Sequence, residues 1–361
     1  MHTWSKRALT GVVAIGLATA LGACNSTRHI SEPQYTGTPP STPPATSPVA
    51  TNKQTTVASP YGRINVSNFI SIPEPVSGMT NTYRILNTIK ASVYVATWRL
   101  VDSTMEQALV SVHQRGLQVH VLLDSAQGGR AANQAAFNYL QQHQVPVKYL
   151  PSADVLRGTA ILMNNTVMYL GTGSLDATHY NHVAYWLIYD NRQADQAYLG
   201  ALQQAWQGKA LVAWPNTTNL VPGDAILPTV GATVTAAMSN VEIETTNLGS
   251  QSLIEALVQA AHSHVKEQIV VAPGGISAAA IRQLTAAGAQ VRIAAANRPL
   301  SNNMVIQDAN THHAVLIDGS QPYTSGASGV TFSAIERFSA LTYEQARYFA
   351  VDFQAGQPAT P

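Results

Sequence analysis

RGTAILMNNTVMYLGTGSL, Arg157 to Leu175, is the stretch on which the fold turns. Two short apolar runs flank an Asn-Asn pair, which predicts two strands joined by a tight turn. The hairpin closes on Gly171-Thr172-Gly173-Ser174, small residues of the kind that frame a site or let backbones pack closely.

Working outward, the same vocabulary recurs. Upstream, ASVYVATWRL is a β-rich run, Ser103-Thr-Met-Glu106 has the capping-box pattern that starts a helix, and GLQVHVLLD is a buried strand. Downstream, Ser252-Leu-Ile-Glu255 is again a capping box, VKEQIVVAP a strand, ISAAAIRQLTAAG a helix and AQVRIAAAN a strand. Setting residues 105–124 over 277–296 brings Gly116 onto Gly288 at an offset of 172 residues without a gap. Each copy then ends in small residues, YLGTGS and YTSGAS, before a final run, VAYWLIYD or RYFAVDF. At this offset the second copy lacks one helix and one strand, the counterpart of AAFNYLQQHQVPVKYL. The expectation is an α/β fold of two repeats, residues 61–210 and 226–355, each a mixed β-sheet flanked by helices and related by a pseudo-twofold. Residues 211–225 form a linker and 356–361 a tail.

The N-terminus differs in kind. Lys6 and Arg7 precede an apolar run, Leu9 to Ala23, too short for a spanning helix, so residues 1–23 are expected to be an export signal. Leu21-Gly22-Ala23-Cys24 resembles the bacterial lipoprotein cleavage box, which implies acylation of Cys24 and a membrane anchor. Cys24 is the sole cysteine, so disulfides and thiol catalysis are excluded. Asn25 after it implies sorting to the outer membrane, facing the periplasm. Residues 24–60, rich in Ser, Thr, Pro and Ala, are expected to be a tether.

Composition narrows the function classes. The 361 residues are 45% apolar and 11% charged, with a net charge of +1, and the 20 Lys and Arg are scattered, which disfavours nucleic acid as a partner. The 11 His are dispersed apart from His312-His313, and neighbours on a strand point to opposite faces, so no metal site is expected. No G-x-S-x-G is present, which argues against a serine hydrolase of that design. Core packing is the default for Trp98, Tyr169, Tyr185, Trp186 and Trp206.

The order of elements, the duplication and the small-residue turn resemble the phospholipase D superfamily, and the first half is most similar to bacterial Nuc-type endonucleases. The phrases involved are ALVSVHQRGLQVHVLLDSAQ, VPVKYLPS, the hairpin ending in GTGSL, and YNHVAYWLIYDN with AYLGALQQAWQ. In that family each half supplies H-x-K-x4-D and then a G-S-x-N turn. One His attacks phosphorus, the other protonates the leaving oxygen, and the lysines hold phosphate oxygens. With Gly171 as the turn glycine, Arg157 stands at the His place, Thr159 at the Lys, Asn164 at the Asp and Ser174 at the turn Asn. The later N-x-E begins at Asn181 and has Val183 where Glu belongs. In THHAVLIDGSQPYTSGAS, Ser325 as the turn residue puts Thr311 at the His place, His313 at the Lys and Asp318 at the Asp; a one-residue bulge would bring in His312.

Two readings follow. The leading one is a lipid-anchored pseudoenzyme that binds a phosphate-containing ligand or an envelope protein, with Arg157 as the clamp and Thr159, Thr172, Ser174, Thr311, His313 and Ser328 as polar partners. The alternative is a diverged phosphodiesterase, of phospholipase D or nuclease type, using His312 or His313, with Asp318 and with Arg157 as the phosphate clamp. Plainer roles are an acid partner for Arg157, a surface-to-core strand for the histidines and a turn cap for Asp318. No cofactor is implied, and a monomer suffices because the duplication supplies both halves.

Overall fold

In the computed structural model, alternating strands sort side chains between an outer and an inner layer. The structure describes residues 58–59, 62–63, 69–74, 83, 86–126, 128–151, 155–165, 167–180, 182–189, 192–217, 219–327, 329–337 and 340–361. The export signal, Cys24, most of the tether, Asn181 and Ser328 lie outside the described residues. Residues Asn52–Pro361 form one compact unit.

The first half comprises β1 (Phe69–Glu74), β2 (Ser92–Thr97), β3 (Leu100–Val101), α1 (Ser103–Gln114), β4 (Gln118–Leu123), α2 (Gly129–Gln142), β5 (Val147–Tyr149), β6 (Thr159–Met163), β7 (Val167–Gly171), β8 (Leu175–Asp176), β9 (Ala184–Tyr189) and α3 (Arg192–Trp206). The second comprises β10 (Leu220–Pro222), α4 (Leu227–Thr235), β11 (Asn240–Thr245), α5 (Gln251–His262), β12 (Lys266–Val271), α6 (Ala278–Ala287), β13 (Gln290–Ile293), β14 (Asn303–Gln307), β15 (Val315–Gly319), β16 (Phe332–Arg337), α7 (Ala340–Ala355) and β17 (Gln357–Pro358). Among the described residues, the first sheet runs β1-β9-β7-β6-β2-β4-β5 and the second β10-β16-β15-β14-β11-β12-β13-β17. In each, the two strands joined through the first crossover helix pair parallel, β2 with β4 and β11 with β12, and the hairpin pairs antiparallel. The two-repeat α/β fold is therefore present, both sheets being mixed.

The repeat differs from its expected register. β2 begins at 92 and β11 at 240, α1 at 103 and α5 at 251, β4 at 118 and β12 at 266, an offset of 148 throughout. The 172-residue alignment paired α1 with α6, one helix–strand unit out of step. Both segments are an amphipathic helix closed by Gly and followed by an apolar strand, so hydrophobic pattern alone accepts either register. The second copy lacks nothing: α6 and β13 answer α2 and β5. The caps also sit slightly upstream of the expected boxes. Asp102 Oδ1 accepts from Thr104 N at 2.9 Å, and Ser250 Oγ from Leu253 N at 3.4 Å, equivalent positions at the same offset.

Period-2 alternation builds the layers. Val93 and Val95 of β2 face α1 and α2 with Leu109, Val112 and Leu140, whereas Tyr94 and Ala96 face the other way. In the second sheet Val241 and Ile243 face α4 and α5 with Val230 and Leu257. The two inner faces share one core, in which Ala160, Leu162 and Leu170 of the first half join Met304, Ile306 and Leu316 of the second, with Tyr198 and Leu202 of α3 and Phe349 and Phe353 of α7. Most of these side chains are fully withdrawn from water, so the halves cohere through apolar burial.

Candidate functional site at the seam between the halves

Backbone hydrogen bonds cross the seam at two equivalent points. Arg157 N donates to Val330 O at 3.0 Å and Val330 N to Val155 O at 2.8 Å; Ser301 N donates to Val183 O at 2.8 Å and Val183 N to Pro299 O at 2.7 Å. Arg157 of the first half thus answers Ser301 of the second. Register carries the match along the hairpins: Thr159 pairs with Gly171, and Asn303 with Gly319.

These pairings fix where the places of the expected motif fall in the second half. Ser301 stands at the His place, Asn303 at the Lys and Asp308 at the Asp, with H-x-K-x4-D spacing intact, and Gly319-Ser320-Gln321-Pro322 forms the turn. Asn164 and Asp308 confirm the equivalence independently, each taking positive φ, 52° and 49°. Asn164 Oδ1 accepts from Lys90 N and Ala91 N, both at 3.0 Å, while Asp308 Oδ1 accepts from Ser239 N at 2.7 Å and Met238 N at 3.0 Å. Burial alone would raise the Asp308 carboxyl, yet hydrogen bonds from Gln307, Ser239 and Met238 together hold it below the ordinary value.

The expected second-half residues lie elsewhere. Thr311, His312 and His313 occupy the loop after β14, at the end opposite Ser301, so a five-residue strand, about 17 Å long, separates them from the seam. Thr311 Oγ1 donates to Asp308 O at 2.9 Å, and both imidazoles are exposed, their ring centres 4.0 Å apart. Arg157 and His313 are therefore not brought together. Asp318 is buried within β15, where burial pushes its carboxyl up to about 8. The β14–β15 loop has seven residues, 308–314, against three, 164–166, in the first half. The turn itself is at Gly319 and not at Ser325, so the count back from Ser325 misses the motif on both grounds. Ser301, Asn303 and Asp308 were legible only through the intact spacing, because no His or Lys marks it.

The first-half residues do gather at the seam. Thr159, buried, bonds Thr97 Oγ1 at 2.8 Å and donates to Gly173 O at 3.0 Å; its counterpart Asn303 accepts from Thr245 Oγ1 at 2.7 Å and Thr246 N at 2.9 Å. Thr172 and Ser174 are buried beside them. Arg157 lies over Gly329 of the other half: a Cβ there, at φ 140°, would stand 2.8 Å from Arg157 Nε. Gly158 also comes close to the second half, since a Cβ on it would meet Phe332 Cε1 at 3.1 Å and Ser320 Cβ at 3.3 Å.

A further group comes from β8 and the turn after it. Asp176, fully buried, has its Oδ2 2.8 Å from Arg99 Nε and 3.2 Å from His179 Nδ1, within ion-pair distance of both. The His179 ring packs against that of His182 at 4.5 Å, and His182 Nδ1 lies 2.8 Å from Ser301 Oγ. Burial and the neighbouring His179 lower the His182 pKa, opposed by Asp176. His182, Asp176 and His179 were not among the candidates, as nothing in their local spacing singles them out.

No family model matches the chain, and no curated protein matches it in sequence. Among solved structures, polyphosphate kinase from Porphyromonas gingivalis superposes with a TM-score of 0.61 at 12% identity, covering 79% of this chain and 50% of its own. Phosphatidylserine synthase from Haemophilus influenzae superposes with a TM-score of 0.61 at 10% identity, covering 81% of this chain and 87% of its own. The chain thus spans half the length of that kinase and most of that synthase. The chain shares with these two proteins a fold of two mixed α/β halves, the architecture that the resemblance to the phospholipase D superfamily implied.

Proposed function

We propose that this chain is a lipid-anchored envelope protein that binds a phosphate-bearing ligand at the seam and performs none of the fold's phosphohistidine chemistry. The observation behind it is the content of the four motif places: Arg157 and Thr159 in one half, Ser301 and Asn303 in the other, with neither His nor Lys. A guanidinium stays protonated and cannot serve as a phosphoryl acceptor, but its fixed fork of donors suits a phosphate. The names of the two structural neighbours, a polyphosphate kinase and a phosphatidylserine synthase, support phosphate as the shared ligand chemistry. The anchor rests on the Leu21-Gly22-Ala23-Cys24 box, and the outer-membrane address on Asn25.

Calorimetric titration with inorganic phosphate is expected to give saturable binding that Arg157→Ala weakens about tenfold or more, the scale of a charge-assisted pair. In cells, a palmitate analogue is expected to label the native chain and not Cys24→Ser. An acid-labile phosphoryl adduct on any histidine, formed from a phosphodiester, would overturn the reading.

A further inference from the structure

Where this fold keeps its histidine nucleophile, the second half presents a hydroxyl held by an imidazole. We propose that Ser301 is a nucleophile toward phosphate esters, with His182 as its general base. The inference rests on the phosphate-binding reading above and adds a covalent step to it.

The geometry has three parts. Ser301 Oγ and His182 Nδ1 are 2.8 Å apart, within the reach required of a nucleophile and its base. With its proton on Nε2, His182 accepts at Nδ1 and Ser301 donates. The imidazole has a packed neighbour: His179 lies against it at 4.5 Å, with its Nδ1 3.2 Å from Oδ2 of buried Asp176, the oxygen that Arg99 Nε also approaches at 2.8 Å. Ser301 is positioned by its own backbone, through the bond from Ser301 N to Val183 O, so hydroxyl and base sit on two segments stitched side by side. Both residues are half-buried, leaving the hydroxyl within reach of a ligand.

In the step inferred, Ser301 Oγ attacks phosphorus and forms an O–P bond as the bond from phosphorus to the alcohol oxygen breaks. The hydroxyl proton passes to His182 Nδ1 and from there to the departing alkoxide. Water then attacks the phosphoserine, gives its proton to His182, and Ser301 leaves reprotonated as phosphate is released. The adduct is a phosphate ester, stable to acid and labile to base, the reverse of a phosphohistidine.

The test uses the full chain and diisopropyl fluorophosphate, whose P–F bond breaks as the Oγ–P bond forms. Peptide mass spectrometry is expected to find one adduct, on Ser301, absent from Ser301→Ala. His182→Gln, which keeps a hydrogen-bonding side chain at the seam, is expected to slow labelling about 100-fold, the lower end for a general base. The native rate should fall on acidification only below the ordinary imidazole range, because burial and His179 hold His182 down against Asp176, whose charge Arg99 already engages. The His182→Gln rate should be flat over that interval. A folded native chain unlabelled at Ser301, or an unchanged rate in His182→Gln, would overturn the inference and leave Ser301 as a seam tie. Phosphate titration of the native chain separates the two readings: phosphate bound but Ser301 unlabelled removes the covalent step alone, whereas no phosphate bound removes the binding reading beneath it.

Discussion

Asp318 shows how far one side chain can depart from its counterpart. By register it answers Leu170, and its inner-layer neighbourhood in the second half is acidic: Glu244, fully buried, is pushed well above its usual range by burial, next by Asp352 and then by Asp318. A carboxyl raised to about 8 by burial when folded, from near 4 when unfolded, favours the folded state fully only in acid. That contribution is lost as pH rises from about 4 through about 8. Urea unfolding of the native chain is therefore expected to show stability falling between pH 5 and pH 8, roughly the window the shift defines. Asp318→Leu should make that decline shallower and add ~2 kcal/mol at pH 8, the scale for removing an unpaired buried polar group. It should not abolish the decline, since burial also lifts Glu267 to about 8. Sequence alone could name Asp318 but not its surroundings, because Ile-Asp-Gly-Ser has the pattern of a surface turn.

At the scale of elements, the hairpins preserve the frame with different letters. Asn164 and Asp308 each turn the chain at positive φ and satisfy the backbone N–H groups that precede the neighbouring strand, at β2 and β11. Asp308→Ala leaves those donors unpaired and is expected to cost about 2 kcal/mol, in the range for loss of a capping side chain. Asp308→Asn should cost less than half as much, since Asn164 does the same work without charge; thermal unfolding of the pair checks both. Because the folded Asp308 carboxyl is held low, its charge-dependent share is present above the unfolded value near 4 and is lost as pH falls through the folded one. The hairpin from Thr159 to Gly171 was legible because its turn is short and its Asn pair overt. Its partner was concealed twice over: the turn is at Gly319, six residues before Ser325, and the loop ahead of it is four residues longer, which together put Thr311 and not Ser301 at the His place.

At the scale of the molecule, the α/β class and the duplication were legible from strand and helix periodicity, and the 148-residue register was not, since successive helix–strand units have interchangeable patterns. The shared inner core predicts how the chain responds to division. Residues 86–210 and 219–361 made as separate chains should each expose the face bearing Leu162 and Leu170 or Met304 and Leu316, aggregate alone, and recover solubility when co-expressed. Soluble, monomeric, independently folded halves in a sedimentation experiment would contradict a common core. The two backbone crossings, Arg157 with Val330 and Ser301 with Val183, add a further consequence. The residue just before each motif strand is bonded to the other half while the strand itself pairs within its own repeat, so a displacement at either place reaches the other half within one hydrogen bond. Neither place is then mechanically independent: a substitution that shifts the backbone at one is felt across the seam by the other half.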